Sequence, residues 1–447
     1  MAALQTLLFT PLIAALVVRL LARRPQMMAA AGALTTGVLW LWLRTIEPSG
    51  TAVVFWGQPM TLTTDNQTLL LMLLAGLSIL FGLAIVFPSG DWFVTSSLVG
   101  FAFLAASLLV RPFTIAITLI LLAIGAFSLT VQSGQAGSVR GSLRYLLAAL
   151  LAVPLLLIVS WQLDTQPTEW LLPPGELAAL AALLLLAGFP FHIWVQAVVN
   201  EAEPLPLALV VGLAPLVPLA LLFEQFATHP NLLDVTFRQL IWLSGSLTLL
   251  VAGVLALTAV HLRRAIGNVL LLDMALTILC LTLPEQVGWE TAVTLQTGRF
   301  GSLLLVAGGW ELLKRYQASW PLDKLPVGLG RQSPLSLALL GMGLFSLLGL
   351  PFTLGFGGQW RLLTAVGELA NRGVVPWWLP AAALLGLGLG AAGVLRLLVV
   401  LLAKEDEGET AVADPLWLQV TVGIVLIIFL WLAIFPQAGP NIALLGL

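Results

Sequence analysis

The chain has 447 residues, 60% of them hydrophobic and only 9% charged, with a mean hydropathy of +1.04 and a formal net charge of −2. A soluble domain carries about 25% charged residues. The composition therefore excludes an ordinary soluble domain and indicates an all-α polytopic membrane protein whose surroundings are the lipid bilayer rather than nucleic acid.

The chain begins with an apolar run that ends in Arg19, Arg23 and Arg24. A secretory signal carries its positive charge before the apolar core, so the reverse order predicts an uncleaved first span with the N-terminus outside. A crossing helix needs about 20 apolar residues. On that rule crossings fall near 4–22, 28–46, 67–87, 92–110, 112–133, 143–161, 175–198, 205–226, 237–260, 265–283, 290–313, 334–370 (broken), 377–402 and 416–436. The total is about fourteen, which returns both termini to the outside.

The distribution of basic residues agrees with this orientation. Arg19, Arg23, Arg24, Arg140, Arg144, Arg263, Arg264, Lys314, Arg315, Lys324, Arg331 and Lys404 fall at inside ends or loops, and only Arg44, Arg111, Arg238 and Arg372 fall outside. Loops are short, the longest being Glu47–Asn66, Asp164–Pro174 and Gln317–Ser333, with a charged connector at Lys404–Asp414. They leave no soluble domain to hold a cofactor. Trp40, Trp42, Trp56, Trp170, Trp377 and Trp378 lie near span ends, where indole rings sit at the membrane interface. The single Cys280 lies in an apolar run, so there is neither a disulfide framework nor a cluster ligand set. No metal-spaced His/Cys group, nucleotide-binding glycine pattern or nucleophile elbow is present.

The most informative stretch is Leu183–Leu221, where Gly188-Phe189-Pro190-Phe191 interrupts an apolar segment. Proline removes a backbone donor and clashes with the preceding turn, so the helix must bend or break there. A break inside a membrane requires neighbouring groups to satisfy the freed backbone. Gly349-Leu350-Pro351-Phe352 repeats the tetrapeptide inside another apolar segment. The second copy lies five crossings after the first, and so runs in the opposite direction. Interrupted helices in inverted repeats are a transporter architecture. The chain divides accordingly into N-terminal helices (1–90), a first five-helix repeat (91–232), a second, inverted five-helix repeat (233–403), and a connector with a final helix (404–447).

Charge inside a bilayer is costly and marks candidate function. Asp273 and Arg299 sit in adjacent spans and are expected to pair; Arg361 follows the second break, Arg396 lies in the span 377–402, and His192 follows the first break. Glu176, Glu224 and Glu311 fall at helix ends.

These segments resemble the antiporter-like membrane subunits of respiratory complex I, shared with Mrp-type sodium/proton antiporters and membrane-bound hydrogenases. Pro190-Phe191-His192-Ile193-Trp194 followed by Glu201-Ala202 is similar to that family's P-x-H-x-W…(E)-A-P stretch. His261-Leu262-Arg263-Arg264 is similar to its D-L-K-R segment, and Gly349-Leu350-Pro351 with Gly355-Phe356 and Trp360 to its second broken helix. The resemblance covers roughly residues 90–400. It implies fourteen spans, two inverted five-helix repeats, and a midplane chain of charged residues through which protons move. It also implies partners, namely sister antiporter-like subunits and a redox module, in a bacterial-type inner membrane. The end of the chain soon after the last span implies no long lateral helix.

The departures from the family pattern are specific. The fifth span, Pro112–Val131, has no ionisable residue where a Glu is expected. Leu185 and Leu216 stand where lysines are expected, and Gln359 where a Lys or Glu is expected. Asp273-Met274 replaces the usual His-Met, and Gln296 and Phe300 replace a His and a Lys, with Arg299 displaced by one. Leucine cannot carry a proton, and arginine does not deprotonate in proteins. The sequence therefore indicates a degenerate antiporter-like subunit with a structural role and no catalysis or bound cofactor of its own. The alternatives are an active proton- or sodium-translocating subunit and a stand-alone transporter that reuses the fold.

Overall fold

The computed structural model describes residues 2–48, 50, 52–55, 57–132, 139–165, 172–316, 333–403 and 415–435. Lys324, Arg331, Lys404, Trp56, Trp170, the connector 404–414 and most of the loop 317–333 lie outside the described residues. The described chain is almost entirely helical. It separates into two compact units, one formed by the described residues up to Leu185 together with Glu201–Phe237, the other by Leu186–Asn200 and the described residues from Arg238 onward.

In the first unit, α1 (Ala2–Leu20), α2 (Pro25–Arg44), α3 (Thr64–Val86), α4 (Phe93–Leu109), α5 (Phe113–Gln132), α6 (Arg140–Thr165) and α7 (Pro174–Leu185) follow one another. A short antiparallel hairpin, Val53–Phe55 with Gln58–Met60, lies between α2 and α3, its turn closed by Gly57 at φ +76°. The loop Glu47–Asn66 therefore holds a small sheet. Proline starts α2 and α7, where its missing N–H costs nothing. Thr63 caps α3 by accepting from the Asn66 N–H at 3.2 Å. Gln67 Nε2 donates to the carbonyls of Leu43 and Ile46 at the end of α2.

After α8 (Ile193–Glu201), the unit is completed by α9 (Pro204–Leu207), which passes into a π-helical turn at Ala208–Leu213, and by α10 (Leu216–Thr228). Leu216 is buried at the start of α10. The hydroxyls of α5 are spent locally: Ser128 donates to the Gly125 carbonyl and Thr130 to that of Phe127.

The second unit contains the first break and α8, then α11 (Val235–Thr258, entering from the first unit), α12 (Leu262–Cys280), α13 (Glu285–Tyr316), α14 (Pro334–Leu347), α15 (Leu354–Asn371), α16 (Trp378–Leu402) and α17 (Leu416–Ile434). Helix α12 is buried along nearly its whole length, including Cys280. A helix apolar all round belongs in an interior, and this one carries Asp273 into it. Helices α13 and α14 approach closely because small residues face each other. A Cβ on Gly309 would come within 2.8 Å of the Ser336 carbonyl, and one on Gly343 within 2.8 Å of the Ser302 carbonyl.

Among the described residues, seven helices are long and apolar enough to cross a membrane, the longest being Arg140–Thr165, and five more apolar helices are shorter. The short ones include the two that end at the breaks, Pro174–Leu185 and Pro334–Leu347. A break divides one apolar segment into two helices, and the half before each break, 12 residues at the first and 14 at the second, is too short to cross alone.

Candidate functional site

The first break replaces helix with turn between Leu185 and Ile193. Ala187 takes a left-handed backbone, φ +59°, and Phe189–Pro190 is a cis bond. The freed polar groups of Phe189 are met by α11. Thr248 Oγ1 accepts from the Phe189 N–H at 2.8 Å, and Ser244 Oγ donates to the Phe189 carbonyl at 2.6 Å. Leu185 is half-buried at the end of α7. His192 stacks on Phe189, ring centroids 5.8 Å apart, and its Nδ1 is buried with no hydrogen-bond partner among the described residues.

The second break also replaces helix with turn, here with two left-handed residues, Gly349 and Phe352, at φ +64° and +65°. Ser346 Oγ accepts from the Gly355 N–H at 3.1 Å and from Ser302 Oγ at 2.7 Å. Gln359 Nε2 reaches back to the Leu347 carbonyl at 2.7 Å, closing the end of α14 with a side chain of α15.

Next to this second break lies the buried charge. Asp273 Oδ2 accepts from Arg299 Nε in an ion pair whose side chains are 2% and 0% exposed. Arg299 also donates to Gln296 Oε1 at 2.8 Å, to Thr277 Oγ1, and to the Asp273 carbonyl at 3.2 Å. Gln359 Nε2 is 3.4 Å from Asp273 Oδ1. A buried ion pair survives only when good geometry and further hydrogen bonds offset its desolvation, and Thr277, Gln296 and Gln359 supply them.

The remaining charged candidates do not join this group. Arg361 is exposed and pairs with Glu290, while Arg396 is exposed and donates to the Leu257 carbonyl at the end of α11. Both are ion-pathway candidates from the sequence, and their bonds go to Glu290 and Leu257 rather than to Asp273 or Arg299. Helical period turns each one off the face that packs against α12, so each finds a peripheral partner. His192 sits at the first break, apart from Asp273 in sequence and in bonding. Glu311, expected at a helix end, pairs with Lys314 at 2.8 Å.

Three polar residues carry no expectation in the sequence analysis: Thr277, Gln196 and Asn268. Thr277 is one turn from Asp273, a spacing that places both on one helix face, so the signal was there. The pair of Gln196 and Asn268, 2.5 Å apart, joins helices 72 positions distant and had no local signal.

Comparison with known proteins gives a match to the family model described as NADH:quinone oxidoreductase/Mrp antiporter, TM, over residues 160–384, half of the chain. The chain belongs to this family. As a member of the NADH:quinone oxidoreductase/Mrp antiporter family it is an antiporter-like integral membrane protein. It is 27% identical over 268 residues to the NADH-quinone oxidoreductase subunit N of Chromohalobacter salexigens, covering 56% of this chain and 53% of that one. It is 26% identical to subunit N 1 of Solibacter usitatus, covering 58% and 54%. The chain thus spans about half the length of the curated relatives it matches.

Solved structures share the fold over nearly the whole chain. A chain of the archaeal membrane-bound sulfane sulfur reductase superposes with TM-score 0.78 at 16% identity, covering 99% of this chain and 96% of that one. A chain of the Mrp complex from Dietzia sp. DQ12-45-1b gives 0.73 at 16% identity, covering 97% and 94%. A chain of respiratory complex I from Thermus thermophilus gives 0.67 at 21% identity, covering 96% and 98%.

Proposed function

We propose that this chain is an antiporter-like membrane-arm subunit of a complex-I-like, proton-pumping oxidoreductase, and that its own proton pathway is degenerate, leaving it a structural role. One observation carries the reading. Among the described residues, the buried Asp, Glu, Lys, Arg and His side chains are Arg263, Asp273 and Arg299, all in the second unit. Among its described residues the first unit has no such buried charge, and Leu185 and Leu216 stand where the family pattern has lysines. In the second unit the one buried carboxylate is bonded to an arginine, and an arginine cannot pass a proton on. Such a pair fixes helix register instead of relaying charge.

The proposal includes the finer architecture: about fourteen crossings in two inverted five-helix repeats, each with a broken helix, with the divisions 1–90, 91–232, 233–403 and 404–447. It places both termini outside a bacterial-type inner membrane. It assigns sister antiporter-like subunits and a redox module as partners, with catalysis residing in them.

Active translocation is the second reading, and Asp273 itself favours it, since a carboxylate can carry a proton where leucine cannot. The partner assignment is tested by gentle solubilisation of native membranes. Co-purification with a redox-active assembly is expected. A stable monomer that moves another solute would replace it with a stand-alone transporter.

A further inference from the structure

A partly open cavity of about 290 Å³ lies in the second unit beside the first break, bounded by α8, the end of α11 and the start of α12. Its walls are mainly apolar. Ile193 and Val260, 54% and 52% exposed, form its outer edge, and in a membrane protein such side chains meet acyl chains. Its polar lining is His192, Gln196, Asn200, Thr258, Arg264 and Asn268. Arg263 turns inward, donating to the Val199 and Asn200 carbonyls and lying 4.7 Å from the Trp310 ring. Arg264, the next residue, turns to the cavity, is exposed, and forms no ion pair among the described residues. Gln196 donates to Asn268 Oδ1, which fixes the Asn268 amide with its N–H groups left to donate. Among the described residues no acidic side chain lines the cavity.

An unpaired guanidinium and an amide donor above apolar walls match an anionic headgroup on an apolar body. The volume is at the low end for ligand pockets, roughly 300–1,000 Å³, so it takes part of a lipid and leaves the rest in the bilayer. We propose that this cavity is a binding site for an anionic phospholipid, its phosphate on Arg264 and Asn268 and its upper chain against Ile193, Leu255 and Val260. The inference does not depend on whether the chain moves protons.

The test uses the full chain in nanodiscs holding tail-matched phosphatidylglycerol and phosphatidylcholine in equal amounts, with retained lipid identified by native mass spectrometry. Wild type is expected to retain phosphatidylglycerol selectively. Arg264→Gln should lower that retention about fivefold, the worth of one basic residue at a membrane surface, and Arg264→Lys should restore most of it. Ala259→Trp, which fills the cavity and keeps the charge, should also lower it, and keeps the proposal falsifiable should Arg264→Gln fail to fold. Equal retention of the two lipids by wild type, or undiminished selectivity in a folded Arg264→Gln or Ala259→Trp chain, overturns the proposal. So does displacement of the lipid by inorganic phosphate at matched concentration, which would mark a free-anion site.

Discussion

At the first break, two hydroxyls of α11 close the backbone around Phe189 and no charge is bonded to it. At the second, Ser346 and Gln359 do the same work, and Gln359 also touches an ion pair buried next to it. The turns themselves differ, with left-handed Ala187 and a cis Phe189–Pro190 bond in one and left-handed Gly349 and Phe352 in the other. Breaking a helix at membrane depth therefore requires donors and acceptors for the exposed peptide groups, and it does not require a titratable side chain. In this molecule the closure of a broken helix is therefore separable from the placement of charge.

That separation sets the order of the expected effects. The largest belongs to the charge pair. Arg299→Leu leaves Asp273 buried without its cation, a loss of roughly 3–5 kcal/mol, read as a large fall in thermal stability of the purified protein. Replacing both partners, Asp273→Leu with Arg299→Met, should recover most of that loss, because a well-packed apolar pair can replace a buried ion pair at little cost. A double variant no better than Arg299→Leu alone would mean that the network does more than hold register.

Gln359→Ala comes next. It strands the Leu347 carbonyl and removes one donor from Asp273, for about 1–3 kcal/mol. Thr248→Val at the first break strands the Phe189 N–H and should cost a similar or smaller amount, about 1–2 kcal/mol, with no effect on the ion pair. If Thr248→Val proved neutral while Gln359→Ala did not, the two breaks would not be held by the same means. The smallest effect is expected for Arg361→Gln. Its pair with Glu290 is 44% exposed on the arginine side, and exposed pairs contribute about 0–1 kcal/mol, so a stability change beyond that range would place Arg361 in a wider network.

Much of this was legible in the sequence. The breaks announced themselves through Gly-x-Pro-Phe, because proline cannot continue a helix. Asp273 and Arg299 stood out because charge is scarce in apolar spans. What the sequence could not supply was direction. Arg396 and Arg361 sit in apolar helices like Arg299 does, yet only the packing of α12, α13 and α15 decides which guanidinium faces inward. The closures by Ser244, Thr248 and Ser346 were hidden for another reason: hydroxyls are common in membrane helices and most bond their own preceding turn, as Thr364 does. The hairpin at Val53–Met60 was invisible because three-residue strands carry too little alternation to register.

The central claim is that Asp273 is clamped and not a relay, and proton flux in proteoliposomes under an imposed pH gradient tests it most directly. The account predicts that wild type and Asp273→Asn both leak protons no faster than protein-free vesicles. Flux above that background in wild type, abolished by Asp273→Asn in a chain that remains folded, would contradict it.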